Sequence, residues 1–170
     1  MRIPSLLTAC ELNVSDSTSG TRTKENKMNV FAAIVAGLVS TVVMTLLMMV
    51  APGMGMPKMD IAFTIGSMMT ADPEAARLMG MAAHFVMGVA FALIYAFVWS
   101  LGIGSVTWLW GAIFGVVHAL GVALVGMPMM MRMHPRPPQM EGSPPMRMVG
   151  TLLGHVAFGI VLALTYAAVV

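Results

Sequence analysis

The chain has 170 residues, of which 58% are hydrophobic and 9% charged, with a net charge of +2 and a mean hydropathy of +0.87. Soluble domains carry about 25% charged residues, whereas residues 78–131 here contain no Asp, Glu, Lys or Arg. That excludes an ordinary soluble enzyme, a disordered tail and a nucleic-acid binder, which needs a basic face to neutralise phosphates.

Residues 1–27 differ in kind from the rest. Ser15 to Lys27 is polar throughout. Leu7-Thr8-Ala9-Cys10 looks like a lipid-attachment box, but the apolar run before it is shorter than the roughly 7–15 residues of an export signal core. The segment therefore reads as a disordered extension. Met28 directly precedes the first apolar run, and translation is expected to start there. Cys10 is the only cysteine, which excludes a disulfide scaffold and an all-cysteine metal centre.

A membrane helix needs roughly 20 mostly apolar residues. Spans are expected at about 30–50, 78–99, 106–125 and 148–170. The fold class is thus an all-α membrane protein, a bundle of four transmembrane helices. The first span closes at Ala51-Pro52-Gly53. In loop 1, Asp60 can N-cap a short helix over residues 61–69, a better use for it than a transport path. Asp72-Pro73-Glu74 is a helix start with proline at the first position, so helix 2 begins outside the membrane. Arg77 lies one turn from Glu74 and is expected to pair with it. The short link at residues 101–105 predicts a tight antiparallel hairpin of helices 2 and 3. Trp99, Trp108 and Trp110 flank it as an interfacial aromatic anchor. Gly126 and Pro128 close the third span. Loop 3, with five prolines between Pro135 and Pro145, is expected to be extended and mobile.

Two matches occur at one offset of 71 residues. Gly55-Met56-Pro57 recurs as Gly126-Met127-Pro128. His84-x3-Gly88-x6-Tyr95-Ala96 recurs as His155-x3-Gly159-x6-Tyr166-Ala167. Two matches at one offset argue for a duplicated helical hairpin. With two spans per unit, both units keep one orientation, as in parallel transporter repeats.

Basic residues bear on orientation. Lys58, Arg77, Arg132, Arg136 and Arg147 sit in or beside loops 1 and 3. The opposite side has only Arg2, Arg22, Lys24 and Lys27, all in the extension. Without that extension, loops 1 and 3 should be cytoplasmic.

At 100° per residue, His84, Gly88 and Tyr95 share a stripe, as do His155, Gly159 and Tyr166. Helix 3 carries Gly111, Gly115 and His118; helix 1 carries Gly37, Ser40, Met44 and Met48. Small residues four apart let backbones approach closely in lipid, so Gly37, Gly88, Gly115 and Gly159 are expected to be packing positions. His84, His118 and His155 count to depths of roughly 10–14 Å below one surface, near Met44 and Met48, while Tyr95 and Tyr166 fall some 16 Å further on. Imidazoles and a thioether at one level could hold Zn, Cu or a haem iron, and His84 with His155 would suit a bis-histidine haem. The competing reading gives each neutral histidine a hydrogen-bond partner on a neighbouring helix and no ligand. Methionine is abundant, 21 of 170 residues. Met129, Met131, Met133 and His134 form a second cluster where thioethers could select Cu(I). Met is also a flexible apolar filler, and these runs have no set ligand spacing.

Ala36-Gly37-Leu38-Val39-Ser40-Thr41-Val42-Val43-Met44-Thr45, then Ala51-Pro52, Gly55-Met56-Pro57 and Met59-Asp60-Ile61, resemble the opening of a family of small, uncharacterised four-helix bacterial membrane proteins. Gly115-x-x-His118, His134-Pro135 and His155-x3-Gly159 are similar too. The resemblance covers residues 28–170 and implies a membrane location, with no established activity. No Ser/His or paired-carboxylate constellation points to catalysis. The expectation is a non-enzymatic integral membrane protein of the bacterial inner membrane, an accessory subunit or small transporter. The alternative is a copper- or haem-binding membrane protein using the histidine layer. The lipid bilayer is the one expected partner; protein partners and homo-oligomerisation stay open.

Overall fold

The computed structural model describes residues 28–139 and 141–170. The extension 1–27 and the readings placed on it lie outside the described residues. Helix α1 (Val30–Val50) starts where Asn29 Oδ1 accepts the Ala32 N–H at 3.0 Å. Its buried face is Ala32, Ala33, Ala36, Gly37, Ser40, Thr41 and Met44, a stripe with steps of mainly three and four. Hydroxyls in hydrocarbon need partners, and Ser40 and Thr41 donate to the Ala36 and Gly37 carbonyls at 2.6 and 2.7 Å. A 3-10 turn, Ala51–Met54, ends this rod at Gly55, whose φ of +84° suits glycine.

Helix α2 (Ile61–Gly66) is capped by Asp60, whose Oδ1 accepts the Phe63 N–H at 3.0 Å. It stops three residues before the expected end at Met69, because the Gly66 carbonyl closes a turn by accepting from Met69 and Thr70. Helix α3 (Pro73–Ser100) starts as the sequence indicates, with Asp72 accepting from Ala75 N–H at 2.7 Å and Pro73 at the first position. Arg77, however, faces Asp60 at 3.6 Å and lies over the Phe63 ring, not beside Glu74. The close seating of α2 on α3 explains this. A Cβ on Gly66 or Gly80 would overlap the Ala76 or Ala62 carbonyl, and this approach brings the α2 cap within reach of Arg77.

The third rod does not close at Gly126 and Pro128. Helix α4 (Trp108–Gly121) runs through a π-turn, Val122–Gly126, into α5 (Met127–Met133). In that turn the Met127 N–H bonds the Val122 carbonyl, five residues back. The wider turn accommodates a proline that has no N–H to donate and whose ring would crowd a regular ladder. The two Gly-Met-Pro copies thus diverge: Gly55 ends a helix and Gly126 sits inside one. Helix α6 (Pro144–Val169) begins at a proline 71 positions after Pro73.

Among the described residues, four rods are long and apolar enough to cross a membrane: Val30–Met54, Pro73–Ser100, Trp108–Met133 and Pro144–Val169. Their outward faces are apolar, with Phe31, Leu78, Val86, Phe97, Val117 and Leu153 all exposed, as a lipid-facing surface requires. Close backbone packing runs in the order α3, α1, α6, α4. A Cβ on Gly37 would meet Ala92 Cβ at 2.8 Å across the α1–α3 contact, and one on Gly159 would overlap the Gly111 carbonyl across α4–α6. Helices α3 and α4, despite their short link, are held apart by rings. Phe91, Tyr95 and Trp99 from α3 meet Phe114 and His118 from α4. The expected tight hairpin is therefore a splayed one, because aromatic side chains stand where glycines stand in the other contacts. Trp99 belongs to that stack, 2% exposed, so it is core and no interfacial anchor; Trp108 is 59% exposed. A two-fold duplication would make α3–α4 the image of α1–α6, and the bundle departs from such symmetry on this open side.

Candidate functional site

The gap between α3 and the α4–α5 rod is a chamber of about 480 Å³. Thr41, Met44 and Met48 of α1 and Thr151, His155 and Phe158 of α6 line it from behind. His84, Gly88 and Phe91 come from α3, and His118, Val122, Gly126 and Met127 from the bent rod. Ile61 and Ile65 of α2 cover one end. Among the described residues the lining is strongly apolar, holds eight methionines and contains no carboxylate, lysine or arginine. His84, His118, His155, Met44 and Met48, singled out from the sequence on four separate rods, all border this one space.

Helix geometry puts them there. His155 is one residue after Gly154 and four before Gly159, on the α6 face that presses against α4. A Cβ on Gly115 of α4 would reach the His155 main chain, so two glycines bring the α4 and α6 backbones together. His118, three residues beyond Gly115, then meets His155 ring to ring, centroids 4.5 Å apart and planes at 76°. Phe91 covers another side of the His118 ring at 3.8 Å. Met44 packs over Gly154, with its methyl carbon 3.5 Å from where a Cβ would stand.

The polar atoms are disposed unequally. His155 Nδ1 lies 2.8 Å from the Thr151 carbonyl. A carbonyl only accepts, so Nδ1 carries the proton and Nε2 keeps its lone pair. Among the described residues, that Nε2 has no hydrogen-bond partner. His118 Nδ1 lies 3.4 Å from the Tyr95 hydroxyl, and its Nε2 likewise has none. His84 Nδ1 is buried without a partner. Against the reading that gives each histidine a partner on a neighbouring helix, His118 has one in Tyr95, His155 bonds its own helix, and His84 Nδ1 has none among the described residues. Nor is a ready three-histidine centre present: among the described residues no group of three or more His, Cys, Asp or Glu is arranged to hold an ion.

Tyr95 is the residue that depth counting misplaced. Its hydroxyl reaches back along the bundle to His118, while Tyr166 caps the far end by accepting the Asn29 N–H at 2.9 Å. A tyrosine spans several ångströms from its own Cα, and the splay of α3 from α4 leaves room for that reach. The α2 cover and Phe91 were also missed. The apolar run from Ile61 signals a helix, but not what the helix covers.

His134 has another role. Its Nδ1 accepts the Arg136 N–H at 3.0 Å, so the protonated Nε2 faces the Thr64 carbonyl and Ser67 Oγ, both at 3.1 Å. With both nitrogens engaged it pins loop 3 to α2, and no lone pair is left for a metal. Met133 is 68% exposed and Met129 57%. Met129 borders the chamber, and the four residues of this second cluster do not converge on one point.

A second hollow of about 340 Å³ adjoins the first on the loop 1 side. It is lined by Lys58 and Asp60 at the surface and shares Met48, Met59, Ile61 and His84 with the chamber. The model of a family described as a family of unknown function (DUF6789) matches residues 28–170. No curated protein and no solved structure matches the chain.

Proposed function

The chain belongs to that family of unknown function, and from this premise we propose a non-enzymatic integral membrane protein that holds a small ligand inside its bundle, as a carrier or an accessory subunit. The observation that carries the reading is the chamber between α3 and the α4–α5 rod. Rings hold α3 and α4 apart, and the space beside them is lined by imidazoles and thioethers instead of being closed by small residues as at the other contacts. An interior that is apolar except for a few convergent polar groups is the usual form of a ligand pocket.

Catalysis has little support. Thr41 Oγ1, a hydroxyl in the lining, donates to its own helix at 2.7 Å. No carboxylate lines the chamber to activate a nucleophile or to share a proton. We place it in the bacterial inner membrane; counted without residues 1–27, five basic residues at loops 1 and 3 face none opposite, which supports those loops being cytoplasmic.

Thiol labelling tests both parts, in a Cys10→Ser background. Lys58→Cys and Gln139→Cys should label from one side of the membrane and Ile103→Cys from the other. Val122→Cys, facing the chamber, should react with a small methanethiosulfonate. Val117→Cys, on the lipid face, should not, because only a hydrated thiol ionises and reacts. Labelling of position 103 from the same side as 58, or an inert Val122→Cys, overturns the reading.

A further inference from the structure

We propose that the chamber is a Cu(I) site, with His118 and His155 of the α4–α6 contact and Met44 of α1 as its ligands. The inference rests on the reading of the chamber as a binding space and names what binds there. Three observations meet at this point. First, the Thr151 carbonyl holds the Nδ1 proton of His155, which leaves Nε2 as a bare donor with no hydrogen-bond partner among the described residues. That is how metal-binding imidazoles are oriented elsewhere: the distal N–H is tied to a carbonyl and the lone pair faces the ion. Second, His118 is in contact with His155 at 4.5 Å between centroids, and the Tyr95 hydroxyl, 3.4 Å from its Nδ1, can accept that nitrogen's proton and leave Nε2 for the ion. Third, the buried Met44 packs on Gly154, directly beside His155, and borders the same space.

The chemistry of this set selects the ion. Two neutral imidazoles and a thioether supply no negative charge, and no carboxylate lines the chamber to supply any. The cost of an ion in a low-dielectric interior grows with the square of its charge, so a monovalent ion costs about a quarter of a divalent one. Thioether sulfur favours Cu(I) over Zn(II), Mg(II) or Mn(II). Contact between the His118 and His155 rings argues against this pair, as distinct from His84 with His155, holding a haem iron. Two imidazoles ligating iron from opposite faces would hold their centroids roughly 6 Å apart, from metal–nitrogen bonds near 2 Å. Here they are at 4.5 Å. A trigonal Cu(I) would set two imidazole centroids about 5.5 Å apart, so the rings need part by only about 1 Å to admit it.

The adjoining hollow supplies the entry. Met48 and Met59 border both spaces, and His84, with its buried unpartnered Nδ1, stands where they meet. A soft cation arriving at Lys58 and Asp60 would pass thioethers and one imidazole before reaching the His118–His155 pair. His84 is thus a transfer ligand, outside the resting set.

The test uses the full chain, purified in detergent with ascorbate and titrated with Cu(I) against bathocuproine disulfonate. One Cu(I) per chain should be retained, with nitrogen and sulfur neighbours in its X-ray absorption spectrum. Met44→Leu, close in volume, should weaken binding about 10-fold or more with far-UV circular dichroism unchanged. The double variant His118→Phe with His155→Phe should retain none. If that double variant does not fold, Met44→Leu still decides, since unaltered affinity there overturns the site. Failure of the wild type to hold Cu(I), preferential binding of Zn(II), or a Soret band from co-purified haem also overturns it. A reactive Val122→Cys together with absent Cu(I) would sink the metal and leave the chamber standing; an inert Val122→Cys would sink both.

Discussion

Replacing Gly159 by alanine should loosen the α4–α6 contact more than any other single methyl added to a helical glycine facing α4 from α6. A Cβ there would overlap the Gly111 carbonyl and stand 3.2 Å from the Gly115 nitrogen. Both obstacles are main chain and cannot rotate aside, so the rods must separate by about 1 Å to restore ordinary contact. If the contact holds on the order of 40 close heavy-atom pairs at ~0.1–0.2 kcal/mol each, a gap of that size forfeits a quarter to a half, roughly 1–4 kcal/mol. The usual helix-propensity gain of alanine over glycine offsets little of this. In a micelle the helices stay formed when the bundle comes apart, so the gain is present on both sides of the equilibrium. Two comparisons isolate the effect. A Cβ on Gly121 meets nothing within 4 Å, and one on Gly154 meets only the flexible end of Met44 at 3.5 Å. Gly121→Ala and Gly154→Ala should each stay within about 0.5 kcal/mol of wild type. The assay is titration of dodecylmaltoside micelles with SDS, followed by tryptophan fluorescence. Trp99 is buried in the stack and lies 5.9 Å from Phe114 of α4, so it reports the separation. A Gly159→Ala protein as stable as wild type, or a Gly121→Ala protein as damaged as Gly159→Ala, would refute the reasoning.

Removing the His134 side chain takes away the donor facing the Thr64 carbonyl and Ser67 Oγ, so His134→Ala should cost about 1–3 kcal/mol of local stability. Trypsin should then cut faster after Arg132, two residues before the strap, and an unchanged cleavage rate would show that the strap does not hold the loop. Asp60→Ala should lower the midpoint of unfolding through loss of the α2 cap, worth about 1 kcal/mol. Arg77→Ala should do less, because the arginine side chain is 63% exposed and its pairing is screened by water. Equal losses from Asp60→Ala and Arg77→Ala would place the ion pair above the cap.

What the sequence determined by itself is local or one-dimensional. Hydropathy over some 20 residues marks a span because hydrocarbon admits only segments whose backbone groups bond one another. Asp60 and Asp72 announce helix starts because a cap needs nothing beyond the next three residues. Spacing puts His84, His118 and His155 on stripes with glycines, and stripes of small residues face neighbours, so it is legible that these residues point inward; that they border one space together with Met44 and Met48 is read from the structure. The tertiary structure decided what spacing cannot express. Depth counting places a Cα and not the end of a side chain, which is why Tyr95 was assigned to the far end although its hydroxyl reaches His118. The length of the 101–105 link says that α3 and α4 are close in the chain; whether their backbones touch depends on the residues between them, and rings hold them apart. Pro128 reads as a stop in a regular ladder, and only the π-turn, which redirects the Met127 N–H to Val122, lets the rod continue. Arg77 chose Asp60 over Glu74 through the seating of α2 on α3 at Gly66 and Gly80, a contact between segments that no local pattern encodes.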